Sequence, residues 1–492
     1  MSVYMRNYWS LYLDFLDDFK GIKYKDISLP YLCHFRSLVR AIDPIIQTST
    51  LKPYLRHKAN KKQVQLEFNR FLASHTKRLR KNPNGVVVFH DLYNLLRLPE
   101  NNSRQFCDPA KTMFISEAKI SQTKQSQARK PTVSMGHMTI NASNRSNKVQ
   151  KKNVSRSKLP VDYFQNYSTN PKVSIRRIIQ QVRSIFAKYK KHPLYSNKAF
   201  QSRLIKQFTG IITRIEESEN FFSKVNVSCI VLASTHYHQS RTFAIVALKK
   251  GIPSICLQHG IIASETGYIP KIATVDALYG QFEVDWYKNA GATKQSLEII
   301  GHPRFDIAYK KSAISRTQFH KRFGLDPSKK TILIVLRGDV QINRWKRLID
   351  TISKELPVNF VVKDFPEKET HPLSKSYSFV RTVRKFSLYD IFPNVDLVVA
   401  YPSTVGLEAM LAKKPVFILN YQFNGDTGYY EKLGALYQQN PETLGRLVIK
   451  YFKDPKFKQT VEKRRGEFLA YAYPSKHLSG ERLKKLINRL TT

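Results

Sequence analysis

An α/β fold of two domains, each built on a parallel sheet and facing the other across a cleft, is predicted by three observations. Residues 230–260, IVLASTHYHQSRTFAIVALKKGIPSICLQHG, read as a short β-branched strand, a polar turn, an apolar-periodic helix, a basic-Pro corner and a second strand. Residues 398–420, VVAYPSTVGLEAMLAKKPVFILN, follow the same plan about 170 residues later. Both units place polar residues at the C-terminal end of a strand, where open α/β sheets bind ligands. Strand and helix alternate through both regions, so the sheets should be mostly parallel and the two domains Rossmann-like. A chain of 492 residues exceeds one core and accommodates two domains with additions.

Taken in order, residues 1–80 read as helices, with Leu, Tyr and Phe at helical spacing in YWSLYLDFLDDF and KKQVQLEFNRFLASHTKRLRK. Residues 81–300 form the first, acceptor-side domain. It opens with the buried strand GVVVFH after a PNG turn. The pattern dissolves over about 100–170, which is rich in Ser, Asn, Gln, Lys and Arg. Between 111 and 160 the only acid is Glu117, so a disordered basic insertion is expected there. It is either a passive insertion or a loop that docks on an anionic acceptor or membrane. Helices at 173–190 and 198–225 precede strand 229–234, helix 240–250 and strand 254–258. A short strand at 277–280, a helix at 285–290 and a strand at 297–300 lead to GHPRFD, a plausible hinge. The second, donor domain spans 301–475: helix 314–324, strand 331–336, helix 344–355, strands 359–363 and 397–400, helix 405–412 and strand 416–419. The amphipathic end, 476–492, should pack back towards the first domain.

The charge is unusual: 82 Lys+Arg against 37 Asp+Glu, a formal +45. Such a field attracts polyanions, whether nucleic acid, anionic lipid headgroups or phosphate-rich substrates; otherwise it is a solvated basic surface. Cys33, Cys107, Cys229 and Cys256 show no CxxC pairing and fit neither a disulfide framework nor a zinc site. Cys229 and Cys256 read as small core residues. The N-terminal MSVYMRNYWSLYLDFLDDFKG carries aspartates among its apolar residues, so it reads as neither signal peptide nor anchor. No run approaches the ~20 apolar residues of a span. A cytoplasmic protein, peripheral on the inner face of a membrane, is the expectation.

Chemistry concentrates at the strand ends. In YPSTVGLE a strand ends and a helix begins. Pro402 marks the turn, and Ser403 or Thr404 can cap the helix through a hydroxyl. The free N–H groups and the dipole offer an anion site that fits a diphosphate. Glu408, one turn in, could accept from two ribose hydroxyls; as an isolated signal it reads as an exposed glutamate on a capped helix, and its place at a strand end in a second Rossmann-like unit reverses that. His259, fixed by Gly260 in the Gln258-His259-Gly260 turn, suits a general base or phosphate ligand, or a histidine bonded to backbone. Arg337 and Gly338 close the first strand of the second domain, where Arg grips phosphate and Gly permits close backbone approach. Lys363 adds charge at a strand end or is simply solvated. Arg304, in GHPRFD, bridges the cleft or packs the hinge.

Four motifs, GIPSICLQHG, GHPRFD, VVKDFP and PSTVGLEAMLAKKPVFIL, fall in the order found in a broad group of bacterial GT-B transferases. Residues 226–490 resemble this group, which includes capsule and surface-polysaccharide glycosyltransferases and the CDP-glycerol glycerophosphotransferases of teichoic acid synthesis. The resemblance implies a GT-B-like fold, a catalytic histidine at His259 and a donor diphosphate held at Ser403 and Thr404. The strand-end reading supplies Gly260, Arg337, Gly338, Lys363, Pro402 and Glu408 as the remaining donor-side residues, with Arg304 in the cleft or the hinge. The element that often reads Lys-x-His-Pro in that group is Lys363-Asp364-Phe365-Pro366 here, without the histidine. The resemblance does not extend to residues 1–170.

The function expected is therefore transfer from a nucleotide-sugar or CDP-alditol donor to a surface-polysaccharide or lipid-linked glycan acceptor, with no cofactor and no bound metal. A UDP-N-acetylglucosamine 2-epimerase shares such a fold, but the basic insertion and the lack of an acid cluster argue against it. A nucleic-acid-binding protein would explain the charge, yet there is no zinc spacing, RNA-binding signature or recognition helix. The Asp-x-Asp motif of metal-dependent GT-A enzymes is absent.

Overall fold

A computed structural model describes residues 1–98, 104–117, 159–309, 312–338, 341–365, 367, 370–474 and 478–492, and the backbone of 132–135 and 138–141. Its first large sheet is built from β1 (Val86–His90), β2 (Thr112–Ser116), β3 (Val161–Tyr163), β4 (Val227–Leu232), β5 (Ser254–Leu257), β6 (Val275–Leu278) and β7 (Leu297–Ile299). All pair in parallel, in the order β7-β6-β5-β4-β1-β2-β3. The second sheet comprises β8 (Lys330–Leu336), β9 (Val358–Asp364), β10 (Val380–Thr382), β11 (Leu397–Ala400), β12 (Val416–Leu419) and β13 (Tyr437–Gln438). It is also wholly parallel, in the order β10-β9-β8-β11-β12-β13.

Counted from its own first strand, each sheet runs 3-2-1-4-5-6, and the first adds a seventh strand. This is the doubly wound Rossmann order, in which the winding reverses between strands 1 and 4 and leaves a crevice at their C-terminal ends. Here those ends belong to β1 and β4 in one domain and to β8 and β11 in the other. The strands are short aliphatic runs such as VSCIVL and LVVA. Every residue of β4, β5, β6, β11 and β12 is buried, as a sheet covered on both faces requires. The two domains thus form the GT-B-like arrangement expected.

The insertion is narrower than the composition suggested. β2 and β3 lie within the 100–170 stretch, and β2 pairs in register with β1, Val87 opposite Thr112 and His90 opposite Ile115. The run TMFIS is too short for its apolar content to stand out from polar flanks, and pairing with a buried strand supplies what local pattern does not. The backbone pair 132–135 and 138–141 is an antiparallel hairpin. The rest of the acid-poor stretch lies outside the described residues.

Residues 1–75 form a helical layer whose buried side chains run continuously into the core of the first domain. Helix Val3–Phe19 buries Tyr8, Trp9, Tyr12, Phe15 and Phe19. Tyr12 stacks on Phe35 at 4.1 Å, and Phe19 meets Tyr195 edge-on at 5.4 Å. Burying one such phenylalanine contributes about 3 kcal/mol. A fully buried guanidinium pins this layer to the end of β4: Arg241 donates to the carbonyls of Thr235 (2.9 Å) and Cys33 (2.6 Å) and to the Tyr12 hydroxyl (3.2 Å). Helix Ser479–Thr491 returns to the first sheet, where Leu483, Leu486 and Ile487 join Val231, Ala277 and Ile300. All four cysteines are buried and none is in a disulfide. Among the described residues no helix is long and apolar enough to cross a membrane.

Candidate active site

The strand ends of the two sheets meet. The segment after β5 bonds directly to the second domain: Ile261 N–H donates to Thr404 Oγ1 at 3.1 Å, and Glu265 N–H to the Gly425 carbonyl at 2.9 Å. Thr427 N–H returns a bond to the Ala263 carbonyl at 3.3 Å. A side chain at Gly260 would bring its Cβ to 3.2 Å from Thr404 Oγ1, so the glycine sets how closely the His259 turn approaches the second domain.

His259 is oriented by two contacts. Its Nδ1 lies 3.1 Å from the Ala233 carbonyl at the end of β4, and its ring stacks on Tyr268 at 5.5 Å. A carbonyl can only accept, so Nδ1 carries the proton and Nε2 keeps its lone pair. Burial is the main force holding its pKa down, at about 4, with Arg304 and Arg97 adding to it. The ring is therefore neutral near pH 7. The turn itself is held from below. Gln258 Nε2 donates to the Gly260 carbonyl (2.7 Å) and to Glu283 Oε1 (3.1 Å), and Glu283 Oε2 accepts from Gly280 N–H (3.0 Å). Burial lifts the Glu283 carboxyl to about 8.

Helix Thr404–Leu411 begins at the end of β11. Ser403 occupies the N-cap position but makes no capping bond, contrary to expectation, and the Thr404 hydroxyl is turned to Ile261 instead. The Gly406 N–H that such a cap would bond is taken by the Ser403 carbonyl at 3.2 Å, and that carbonyl is also held by Tyr430. Its hydroxyl accepts from Leu407 N–H (3.0 Å) and donates to the Ser403 carbonyl (2.5 Å), entering the first turn of the helix. Gly406 makes room: a Cβ there would lie 2.7 Å from that hydroxyl. Ser403 Oγ is buried without a hydrogen-bond partner, close to the first N–H groups that a helix leaves unpaired. Pro402 is buried between strand and helix.

Glu408 is not an exposed glutamate. It is 8% exposed, accepts from the Tyr389 hydroxyl at 2.7 Å and lies 3.6 Å from Arg304. Arg304, in the helical turn Pro303–Tyr309 after β7, thereby spans the two domains. One nitrogen serves Glu408 and, at 3.5 Å, the Tyr279 hydroxyl, while Nε and Nη1 are buried with no partner. His302 beside it is fully buried, and its Nδ1 accepts from Arg304 N–H at 3.1 Å. Arg97, in the loop after β1, feels the charges of Arg304 and Glu408 and so belongs to the same cleft.

On the second domain, Arg337 follows β8 and shares a small cavity with Trp345, Tyr401 and Tyr421. Gly338 adopts φ +58°, a conformation that favours glycine, and its N–H donates to Asp364 Oδ1 at 2.7 Å. A Cβ there would meet nothing within 4 Å, so the requirement is conformational. Lys363 is neither solvated nor turned to the other site residues. It is 2% exposed, and its ammonium is bound to the Glu367 carboxylate and the Phe386 carbonyl (2.9 Å). The histidine missing from the Lys363 element has a neighbour in space: His371, followed by Pro372, is fully buried with Nε2 4.0 Å from Asp364.

The structure thus gathers His259, Gly260, Arg304, Thr404 and Glu408 at one junction, with Ser403 and Pro402 at the helix start and Arg337 and Gly338 at the neighbouring strand end. Lys363 stands apart. Sequence reasoning missed Tyr389, Tyr430, Glu283 and Arg97. Only Arg97 carried a signal, its place just beyond the GVVVFH strand.

No protein-family model matches the sequence, and neither does any curated protein. Solved structures overlap with it at low identity. The wall teichoic acid polymerase TagF is 13% identical over 60% of this chain and 76% of its own, with a TM-score of 0.37. Anabaena HepE in complex with UDP and glucose is 13% identical, over 82% and 99%, with a TM-score of 0.47. The UDP-GlcNAc 2-epimerase from Neisseria meningitidis is 11% identical, over 82% and 98%, also with a TM-score of 0.47.

Proposed function

We propose that the chain is a glycosyltransferase, or a glycerophosphate-type transferase, that takes its group from a nucleotide-activated donor. The observation that carries this reading is the junction itself. A neutral histidine with a free Nε2 sits against the start of a helix, and a buried arginine with two unpartnered donors lies beside them. The unpaired N–H groups of helix Thr404–Leu411, with Arg304 and Arg337, suit a donor diphosphate. The cavity of Trp345, Tyr401 and Tyr421 would take the nucleoside.

His259 Nε2 would remove the proton of an acceptor hydroxyl. The oxygen then bonds to the donor's anomeric carbon, or to phosphorus for a glycerophosphate. The bond to the departing phosphate oxygen breaks, and the electron pair leaves on the nucleotide. In this reading the helix N-terminus and the arginines stabilise that charge, so turnover needs no resident metal. Glu408, engaged by Tyr389 and Arg304, would have to exchange those contacts for ribose hydroxyls. The acceptor is a surface-polysaccharide or lipid-linked glycan. The charge supports work at an anionic membrane surface, because Lys77, Arg78, Arg80 and Lys81 are all exposed.

A thermal-shift panel of CMP, CDP, UDP, GDP and TDP, with and without a chelator, tests the reading. The preferred nucleotide at 100 times its dissociation constant stabilises by about 2.7 kcal/mol. Absence of a shift with all five would overturn the donor site. A shift abolished by the chelator would overturn the metal-free version.

A further inference from the structure

We infer that the switch point of the first sheet is a carbohydrate subsite, in which Tyr93, Tyr237, His34 and His236 hold a neutral, hydroxyl-rich ring of the acceptor. This rests on the transfer reading above and assigns the other half of the same cleft.

The place is set by topology. Tyr93 follows β1, while His236 and Tyr237 follow β4, the two strands between which the winding reverses. His34 reaches the same point from the N-terminal helical layer. The rings form one cluster: His34 lies 4.3 Å from His236 and 5.2 Å from Tyr237, and Tyr237 lies 5.2 Å from Tyr93. Tyr93 is half exposed, and its hydroxyl accepts from Gln239 Nε2 at 3.5 Å. It is held there by a loop in which Tyr93, Asn94 and Arg97 all adopt positive φ, at 57°, 54° and 47°. For residues other than glycine such a conformation costs on the order of 1 kcal/mol each and persists where surrounding contacts over-determine it.

The polar groups around this cluster are incomplete. His236 Nδ1 and Gln239 Oε1 are buried with no hydrogen-bond partner, although buried polar atoms are nearly always paired. Both can bond sugar hydroxyls. Burial, chiefly, holds the His34 pKa down at about 3 and that of His236 well below its usual value, so both rings stay neutral. The cations nearest the histidines are already engaged, Arg241 by Thr235 and Cys33 and Arg36 by Asp43, while Arg97 of the Tyr93 loop lies in the field of Glu408. An anionic group would find little here, whereas a sugar ring meets aromatic faces and neutral donors and acceptors. His236 and His259 line the same small cavity with Ser234 and Thr235. That cavity has room for about one water, so His236 joins the ring cluster to the neighbourhood of the proposed base.

The test is histidine ¹H–¹³C NMR of the full chain, titrated separately with methyl glucoside, methyl N-acetylglucosaminide, glycerol 3-phosphate and UDP. A methyl glycoside is expected to shift His34 and His236, and Tyr93→Ala to weaken that response about five-fold, the scale of one aromatic contact. Tyr93 is surface-placed, so the variant should keep its fold and its UDP thermal shift. The subsite is overturned if neither glycoside moves His34 and His236, if glycerol 3-phosphate moves them more, or if Tyr93→Ala leaves the glycoside response intact. Loss of any UDP response would count against the donor site alone, because the glycoside titrations report on the subsite independently.

Discussion

The two sheets share a strand order and differ in what stands at their strand ends. In the second domain the switch point carries cations and an unpaired helix start: Arg337, Ser403 and Thr404, with Arg304 reaching in from the crossover. In the first it carries neutral rings, His34, Tyr93, His236 and Tyr237, with His259 at the boundary. The same topology thus presents one half lined mainly by cations and one lined mainly by neutral rings, with Arg97 after β1 as the exception. The lesson is that the winding fixes where a ligand can sit, while the residues just past the strand ends fix its chemistry.

The largest expected effect comes from breaking the boundary residue. His259→Ala should lower turnover by about 10²–10⁴-fold while leaving nucleotide thermal shifts unchanged. Because the His259 pKa is lowered to about 4, the acidic limb of the free-enzyme rate profile should fall near that value. An acidic limb near 6.5 would mean that another group titrates.

Next is the pair that joins the halves. Arg304→Ala leaves the Glu408 carboxylate buried with its charge uncompensated and should destabilise by about 3 kcal/mol, read by chemical denaturation. Glu408→Gln in the same background should recover part of the loss. If both variants unfold like the parent, the pair is not a link between domains.

A smaller effect tests the helix start. Gly406→Ala pushes a methyl against the Tyr430 hydroxyl and should cost about 2 kcal/mol, together with weaker nucleotide binding. Tyr430→Phe in that background should not restore binding, because the bridge from Leu407 N–H to the Ser403 carbonyl is lost with the hydroxyl. Restored binding would show that the bridge is dispensable.

The smallest concerns the opposite end of the first domain. Arg80 N–H bonds the Gly251 carbonyl just before β5, so the exposed basic stretch 77–81 lies at the N-terminal edge of the sheet, away from the cleft. Arg78→Ser should weaken binding to anionic vesicles by about 1 kcal/mol at low salt and by less at physiological salt. Unchanged vesicle affinity would leave that charge to another role.

The central strands and the helix after PST were legible because each is a short aliphatic run bounded by turn residues, and periodicity needs only local sequence. β2, β3 and β10, at or next to the sheet edges, were not. They are brief, and parallel pairing with distant strands holds them in place. The Ser403 cap was misread for a similar reason: Tyr430, whose hydroxyl holds the Ser403 carbonyl, comes 27 residues later in the chain. Glu408 read as exposed or ribose-binding because its partners Arg304 and Tyr389 lie on other elements. Lys363 read as charge at a strand end or as solvated because the Phe386 carbonyl that helps hold it, with Glu367, comes 23 residues later. His34 carried no signal at all, since helical spacing in the first 80 residues says nothing about which strand end they will cover.

The chain passes between the domains twice, and the two passages are sewn together. Going out it runs through Gly301 and His302; returning, through Tyr473 and Ser479. The Tyr473 hydroxyl bonds His302 N–H at 2.9 Å and lies 3.0 Å from Ser479 Oγ, while Ser479 and Gly480 N–H donate to Asp306. A single thread would let one half swivel freely on the other. Two threads fastened side by side resist torsion and leave bending about the line through them as the softest motion. Opening of the cleft then has one degree of freedom. The bonds that resist such opening lie away from the threads, from Ile261 to Thr404 and from Glu265 to Gly425.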